Sequence, residues 1–570
     1  MMKKLLALLL AVILLLSLAA CGEKTGDPTA QQTAPVVDDG TEYHGELPFV
    51  KPGDEPITIT LALVSEANVT DYKNNAYTKW LEEQTGLNIE IRQFMDNSNA
   101  ATQIALMIAS GERLPDIVFR VGGIDKQQGE AYGQDGYFIP LTEYFEKYAY
   151  YFRKAFELYF PDDPSIYEMT MRRGAGADNQ PNYSFPNLRK NAYSDAMIQA
   201  WINQEWLDKL GLEKPTTVDE LYDVLVAFRD RDPNGNGKAD EIPLIGRVYG
   251  SFSATDPLNY LFNAFTYYHD SFYFSVENGK LDAPYKSDEY REALKFVNKL
   301  HKEGLMTEQS WTQSASELKG IINPTDGDPY LAGVVFGNCE SIFTHGSDSL
   351  NVYKPLHPLK DATGKGGYAP TQYSRSYTTH ISSDCKHPVE AFKLLDFMCS
   401  PESYLRQRWG EEGVDWVYSE GGKTGHRGGE ARIKVLNPNV GSEQNAQTWH
   451  YTASIVDETY WQYEVDFSDP NDWDTRHVQV CNEMFSYTVD APHPKETFDF
   501  AIYSQADYEE RGEFAKELTS YIRNRRAAFC TGTMDPNNDA DWQSYLDGLD
   551  TNRYDRWIEL AQIGYNRIFE

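Results

Sequence analysis

Basic residues are the scarce class in this chain of 570 residues: 52 Lys and Arg stand against 86 Asp and Glu, a formal net charge of −34. Nucleic acid and anionic lipid both need clustered cations, so the deficit argues against either as a general partner. A small anionic ligand stays compatible, because a few local arginines reverse the sign inside one cleft. Histidine numbers only 11. No Gly-x-Ser-x-Gly elbow, His-Glu-x-x-His zinc helix or phosphate loop occurs, which removes the motif-based cases for an enzyme. The acidic surplus does not restore one, since a glycosidase needs two positioned carboxylates and 86 acids supply every spacing by chance. Cysteine is sparse as well. Beyond Cys21 there are Cys339, Cys385, Cys399, Cys481 and Cys530, an odd number whose spacings match no zinc pattern, in a body too large to need staples. Unpaired, mostly buried thiols are expected, with one disulfide left open.

The N-terminus carries the strongest positive signal. Lys3 and Lys4 precede an unbroken apolar run from Leu5 to Leu16, followed by Leu18-Ala19-Ala20-Cys21-Gly22. The run is too short to span a bilayer stably, and small residues lead into a cysteine, as in an export signal ending in a lipid-attachment box. Residues 1–20 are read as a lipoprotein signal peptide. Cys21 is read as the lipidation site, taking a diacylglycerol on its thiol and an acyl chain such as palmitate on its freed amine. The expected location is the extracellular face of a cell membrane of the Gram-positive type. Residues 21–50 open on a small, polar stretch with too little apolar side chain to order itself, and are read as a flexible tether.

The remaining length exceeds what a single core supports, so two or more lobes are expected. Ile57–Val64 alternates and then turns wholly apolar, Tyr77–Gly86 reads as a helix closing on glycine, and Leu87–Phe94 is again a strand. A helix over Ala101–Ser110, stopped by Gly111, leads into a strand at Leu114–Phe119. Repetition of this unit predicts α/β lobes, each a parallel or mixed sheet covered by helices. Past about residue 430 helical segments and acidic, Pro-rich loops take over. Aromatic residues make up 13% of the chain, 38 Tyr, 27 Phe and 11 Trp; most belong to cores, yet the supply also suits a protein that grips ligands with flat amphipathic faces.

The tract Ala200–Leu221, with Trp201, Trp206, Gly211 and Pro215, resembles the signature of the large extracellular solute-binding lipoproteins of ABC importers, the family-1 type that includes sugar and alginate-oligosaccharide binders. Ser110–Asp116, Gly136–Leu141, Tyr290–Leu305, Lys386–Asp396, Trp409–Trp416, Asp541–Tyr545 and Ile563–Arg567 follow the same pattern in order, covering nearly the whole chain. The resemblance implies a type II periplasmic-binding-protein-like fold: two α/β lobes joined by hinge segments, with a ligand held in the cleft between them. It implies a monomer that binds a carbohydrate, presents it to a membrane permease and does no chemistry. The approximate lobes are 51–180 with 345–425, and 181–344 with 426–570. A peptide or other solute as ligand, a sensor kinase as partner, and a surface polysaccharide-degrading enzyme are the alternatives.

Ligand contacts in such a fold belong where strands end and the chain crosses between lobes. Arg120, Tyr183, Arg189, Asn338, Glu412 and Trp416 are the candidates, with Trp311 and Trp449 in reserve. Pyranose faces stack on Trp or Tyr, and hydroxyl pairs want planar partners such as Glu, Asn and Arg. A uronate-containing oligosaccharide fits if both arginines face the cleft.

The sharpest local motif is Asp232-Pro-Asn234-Gly-Asn236-Gly-Lys238-Ala-Asp240-Glu241. Side-chain oxygens at Asp232, Asn234, Asn236 and Asp240, the Lys238 carbonyl and a glycine at the tight turn match the wrapping of calcium in an EF-hand loop. The twelfth position holds Pro243 in place of the bidentate glutamate, so Glu241 must close the shell, as similar loops of alginate-type binders imply. The role expected of this calcium is structural. The preceding helix is signalled by the capping box Thr217–Glu220 and an apolar stripe through Leu221, Val224, Leu225 and Phe228. Asp535–Asp539 lacks the glycine and is read as a plain turn.

Overall fold

The computed structural model describes residues 42–568 except 67, 176–180, 191–198, 249–252, 326, 370–373, 443, 451–454, 490, 493–495 and 499–500. The leader, Cys21 and residues 22–41 of the tether lie outside the described residues. No helix among the described residues is long and apolar enough to cross a membrane. The tether was expected to run to residue 50, but its last part is docked: Tyr43 and Val50 are buried, and the Tyr43 ring meets Tyr148 and Tyr150 edge-on. Each aromatic contact buries surface that a free tether would leave in water.

Ten strands build the two larger sheets: β1 (Thr58–Val64), β2 (Asn88–Phe94), β3 (Ile117–Val118), β4 (Phe185–Lys190), β5 (Ala200–Asn203), β6 (Ile242–Ile245), β7 (Ala332–Phe336), β8 (Tyr353–Pro355), β9 (Ser374–Ile381) and β10 (Ile455–Asp457). The first sheet has the order β10-β4-β9-β3-β1-β2, the second β8-β5-β7-β6. The strand–helix–strand reading at the start holds. Helix Ala76–Thr85 is capped by the Asn75 side chain and ends on left-handed Gly86, where any Cβ would collide with the Val50 carbonyl. Its flanking strands β1 and β2 pair in parallel from Thr58–Asn88 to Val64–Phe94.

Both sheets carry a core on each face, and the central strands β5 and β7 are accordingly buried along their whole length. Leu61 and Ile117 point into one core with Trp449 and Ile455, while Ala62 and Val118 point into another with Ile104 and Phe138. In the second sheet Ile202 and Val334 face the C-terminal helices, whereas Trp201 and Val335 face Met484 and Phe485. This period of two fixes the register of each lobe.

Strand directions place the crossings. β1, β2 and β3 run parallel, β9 runs against β3 and β4, and β10 runs with β4. All five forward strands of the first sheet therefore end at the edge where β9 begins. In the second sheet β6, β7 and β8 end where β5 begins. The chain crosses from β4 to β5, from β8 to β9, and from β10 to the helix Trp473–Val489. The approximate sequence boundaries differ from this at three strands. β8, expected in the first lobe, pairs with β5 of the second sheet. β4 and β10 were assigned to the second lobe and belong to the first sheet, because each pairs with a first-lobe strand before the chain crosses.

Three further helices position functional groups. α1 (Lys126–Gln134) follows β3 under an Asp125 cap, α2 (Val218–Asp230) carries the predicted capping box with both reciprocal hydrogen bonds, and α3 is Trp473–Val489. The five described cysteines are buried, as expected.

His380 on β9 is fully buried, stacked 4.6 Å from Phe138, with Nδ1 donating to the Tyr183 carbonyl at 2.9 Å. Burial lowers its pKa to about 4. The unfolded chain, with an ordinary histidine pKa of about 6.5, therefore binds the extra proton across that window, and stability falls as pH drops from about 6.5 to 4. The group accounts for about 3 kcal/mol over the whole interval. Urea-unfolding midpoints measured as a pH series are expected to decline over it, and His380→Gln is expected to flatten the decline. Equal slopes in both proteins would refute the assignment.

Candidate functional site

The crossing edge of the first sheet gathers polar side chains from distant parts of the chain. Arg189 sits one residue before the end of β4, and its Nε donates to Glu458 Oε1 at 2.7 Å, one residue past β10. Both side chains are largely sheltered, 19% and 13% exposed, so this ion pair is screened less than a surface one. Arg120 follows β3 in a left-handed conformation, φ 53°, with its backbone N–H donating to Thr379 Oγ1 at 3.0 Å. Burial, then the like charge of Arg189, lowers the Arg120 pKa to about 10. His450 is held 3.3 Å from Asn68 Nδ2. Its pKa falls to about 4 through burial, then through Arg408 and Arg189. Arginines and their carboxylate partners thus meet at the strand ends of a strongly acidic chain.

Two cavities open along this edge. One of about 80 Å³ lies between first-lobe residues Arg408, Trp409, His426, Glu458 and Tyr463 and second-lobe residues of α3 such as His477 and Asn482. Arg408 lies over the Trp409 ring at 4.4 Å, Trp409 meets Tyr463 edge-on at 5.9 Å, and His426 stacks on Tyr463 at 4.1 Å. Asn482 Nδ2 reaches across to the His426 carbonyl at 3.1 Å, joining the lobes. The Trp409 indole N–H is buried with no hydrogen-bond partner among the described residues. The second cavity, about 360 Å³, lies at the start of α1, between Asp125 and Lys126 on one side and Phe272, Tyr273, Tyr508 and Trp557 on the other. Lys126 forms a buried ion pair with Glu130, one turn along α1.

The residues singled out from sequence separate into three groups. Arg120 and Arg189 stand at the crossing edge, and Asn338 stands at the matching edge of the second sheet, two residues past β7 at the N-cap position of the short helix Cys339–Ile342, with no side-chain capping bond. Trp311 lies behind the end of β6, where Ser310 receives the Gly246 N–H. The others are placed elsewhere. Tyr183 precedes β4 and so lies at the far end of the first sheet, buried against Gly133 and His380. Trp416 is core: its Nε1 donates to the Gly410 carbonyl at 3.1 Å and its ring is 3% exposed. Glu412 is exposed on the turn that Asp415 closes by accepting from Glu411 N. Trp449 is fully buried between Tyr72 and Tyr77, with Nε1 on Thr78 Oγ1. Trp409, Tyr463, Arg408, His426 and Glu458 were missed; the Trp409–Trp416 tract offered the right segment, but only packing tells which of its two indoles is core.

The loop after α2 is strongly pre-formed. Asp232, at φ 44°, accepts from Gly235 N and Asn236 N through Oδ1 and from Gly237 N through Oδ2. Asn236 Oδ1 accepts from Lys238 N at 2.8 Å, and the amides of Asn234 and Asn236 both meet the Asp240 carboxylate. Those amides hold the Asp240 pKa down. Glu241 is raised, first by burial and then by the charges of Asp232 and Asp240, and its Oε1 is buried without a hydrogen-bond partner. Glu241 carries a buried, unsatisfied oxygen beside Asp232 and Asp240, and side chains of this kind are donors that suit a hard cation, although the three carboxylates do not gather to a common point in this structure.

Comparison with known proteins agrees with this architecture. The profile of bacterial extracellular solute-binding proteins matches residues 66–404. The fructooligosaccharide ABC transporter substrate-binding protein FusA of Streptococcus pneumoniae is 25% identical over 85% of this chain and 86% of its own length. Lipoprotein LipO of Bacillus subtilis is 26% identical over 64% of this chain and 68% of its own. An HMO-binding, ABC-transporter-associated solute-binding protein of Bifidobacterium longum infantis superposes with TM-score 0.73 at 20% identity, covering 90% of this chain and 99% of that one. FusA structures, one with kestose and one of an EF-hand mutant with fructo-nystose, superpose with TM-score 0.68 at 22% identity over the same shares. Two α/β lobes, three crossings at one edge and the matched profile agree, and the chain belongs to the family of bacterial extracellular solute-binding proteins.

Proposed function

We propose that this chain captures an oligosaccharide in the cleft between its lobes and hands it to the permease of an ABC importer, while a lipid on Cys21 holds it outside the cell. The observation that carries the ligand class is the cavity wall of Trp409, Tyr463, Arg408 and Glu458, with a buried indole N–H lacking a partner among the described residues. Sugar rings stack on such faces, and their hydroxyls pair with planar charged groups and an indole donor. Two cavities along one edge suit several sugar units rather than one. FusA, which is bound to kestose in its structure, supports the same class. Arg120, Arg189 and Asn338 are the edge residues proposed to reach the ligand, and nothing in the site requires it to be chemically changed. Delivery to a permease and attachment at Cys21 rest on the family and the leader sequence, with the lipoprotein LipO in support.

A structural calcium is proposed for the loop after α2. Asp232, Asn234, Asn236, Asp240 and Glu241 would hold it by side chains and Lys238 by its carbonyl. The ion supplies charge neutralisation and rigidity there.

Thermal unfolding of the body from residue 42, against fructooligosaccharides including kestose, alginate oligosaccharides and short peptides, tests the ligand class. An oligosaccharide at about 100 times its Kd adds about 2.7 kcal/mol and raises the midpoint by several degrees. Trp409→Ala is expected to weaken binding about tenfold, the scale of one lost aromatic stack. Peptides shifting the midpoint while every oligosaccharide leaves it fixed would overturn the reading. For the loop, chelator is expected to lower the unliganded midpoint and added calcium to restore it, with both effects lost in Asp240→Asn. A midpoint indifferent to chelator in the native sequence counts against the ion.

A further inference from the structure

Cys339, His477 and Cys481 bring their Sγ, ring nitrogen and Sγ atoms within 4.8 Å of one another, and all three residues are buried. We propose that they form a thiolate–imidazole site for a zinc-class ion at the cleft wall of the second lobe, distinct from the oxygen-lined loop after α2.

The geometry comes from two elements that meet at the crossing edge. His477 and Cys481 are one turn apart on α3 and share a face, with His477 Nε2 3.7 Å from Cys481 Sγ. Cys339 starts the short helix after β7, and its backbone N–H donates to Gln199 Oε1 at 3.0 Å, which fixes the approach of its side chain. The His477 ring is held by stacking on Trp473, 4.9 Å away and 9° from parallel. Tetrahedral zinc with its usual bond lengths puts neighbouring sulfur and nitrogen ligands about 3.6 to 3.8 Å apart. The His477–Cys481 pair already has that spacing.

Donor chemistry selects the metal class. Two sulfurs and one imidazole suit a borderline or soft cation, whereas calcium and magnesium take oxygens. On binding, both thiols ionise and release their protons to solvent; zinc undergoes no redox change, so nothing else is consumed. Three protein ligands leave a fourth position, and His477 and Cys481 line the 80 Å³ cavity, so that position opens toward the cleft. His426 on the far wall is not the fourth ligand. Its Nδ1 accepts from Tyr463 N at 3.2 Å, so the neutral ring keeps its proton on Nε2 and can only donate. The cleft-facing position is therefore left to water or to a ligand oxygen.

Cobalt(II) is the probe. Chelator-stripped, fully reduced protein of the complete chain is titrated with stoichiometric cobalt. A sulfur-to-cobalt charge-transfer band in the near ultraviolet is expected, abolished by excess zinc and lost in Cys339→Ser and in Cys481→Ser. The band should persist in Cys530→Ser, which lies in a separate core, and in Asp240→Asn. As a readout independent of the variants' folding, zinc is expected to protect Cys339 and Cys481 of the native sequence from iodoacetamide. Absence of the band, its survival in Cys339→Ser, or a Cys339–Cys481 disulfide in protein mapped before reduction would each overturn the site.

Discussion

The ion pair between Arg189 and Glu458 is the constraint on which the rest of the molecule turns. Arg189 is nearly the last residue of β4 before the first crossing, and Glu458 is the first residue beyond β10 before the third. Pairing them ties two crossings together at the one edge of the first sheet where five strands end. Charges largely withdrawn from water cannot be left apart without a desolvation cost, so the pair holds the ends of β4 and β10 together. Glu458 also lines the cavity whose aromatic wall is Trp409 and Tyr463. Open α/β sheets hold ligands beyond the carboxyl ends of their strands for this reason: backbone directions converge there and no core residue is needed to fill the space.

Charge is distributed to match. The chain as a whole is strongly acidic, yet Arg120, Arg189 and Arg408 lie close enough to depress one another's neighbours, Arg120 and His450 among them. Long-range fields from exposed carboxylates are screened beyond about a Debye length of 8 to 10 Å. At the crossing edge the charges that count are therefore the near ones, the guanidiniums and the carboxylates Glu458 and Glu66.

How much of this was legible in sequence follows from how local each feature is. The first strand–helix–strand unit, Gly86 as a helix stop, and the capping box at Thr217 each depend on residues within one turn or one strand, and all appear as read. The Asp232–Glu241 loop is likewise local, and its side chains close the turn by hydrogen bonds among themselves and to its backbone. Tyr183 and Trp416 fail for the opposite reason. Whether a residue beside a strand sits at the cleft or at the far edge depends on strand direction within the sheet, and β4 begins at the edge remote from the crossings. Trp409 and Trp416 are equivalent in composition, and only the buried hydrogen bond from Trp416 to Gly410 separates core from site. Cys339 and Cys481 matched no zinc spacing because their proximity is made by the docking of α3 on the end of β7, which no linear spacing encodes.

That docking bears on how the cleft is built. α3 is the first element after the third crossing, and one of its faces is committed to the second-lobe core through Val480, Met484 and Phe485. His477 and Asn482 lie along the side that reaches the cavity, with Asn482 bonded to the His426 carbonyl of the first lobe. The helix is thus both a wall of the site and the second lobe's contact with the first. A device that clamps α3 to the end of β7 sets the height of that wall independently of the hinge. The two surfaces that face each other across the cavity are the aromatic wall on one side and α3 on the other. Selectivity in such a cleft comes from the shape of these surfaces, and the hinge contributes only the free energy of bringing them together.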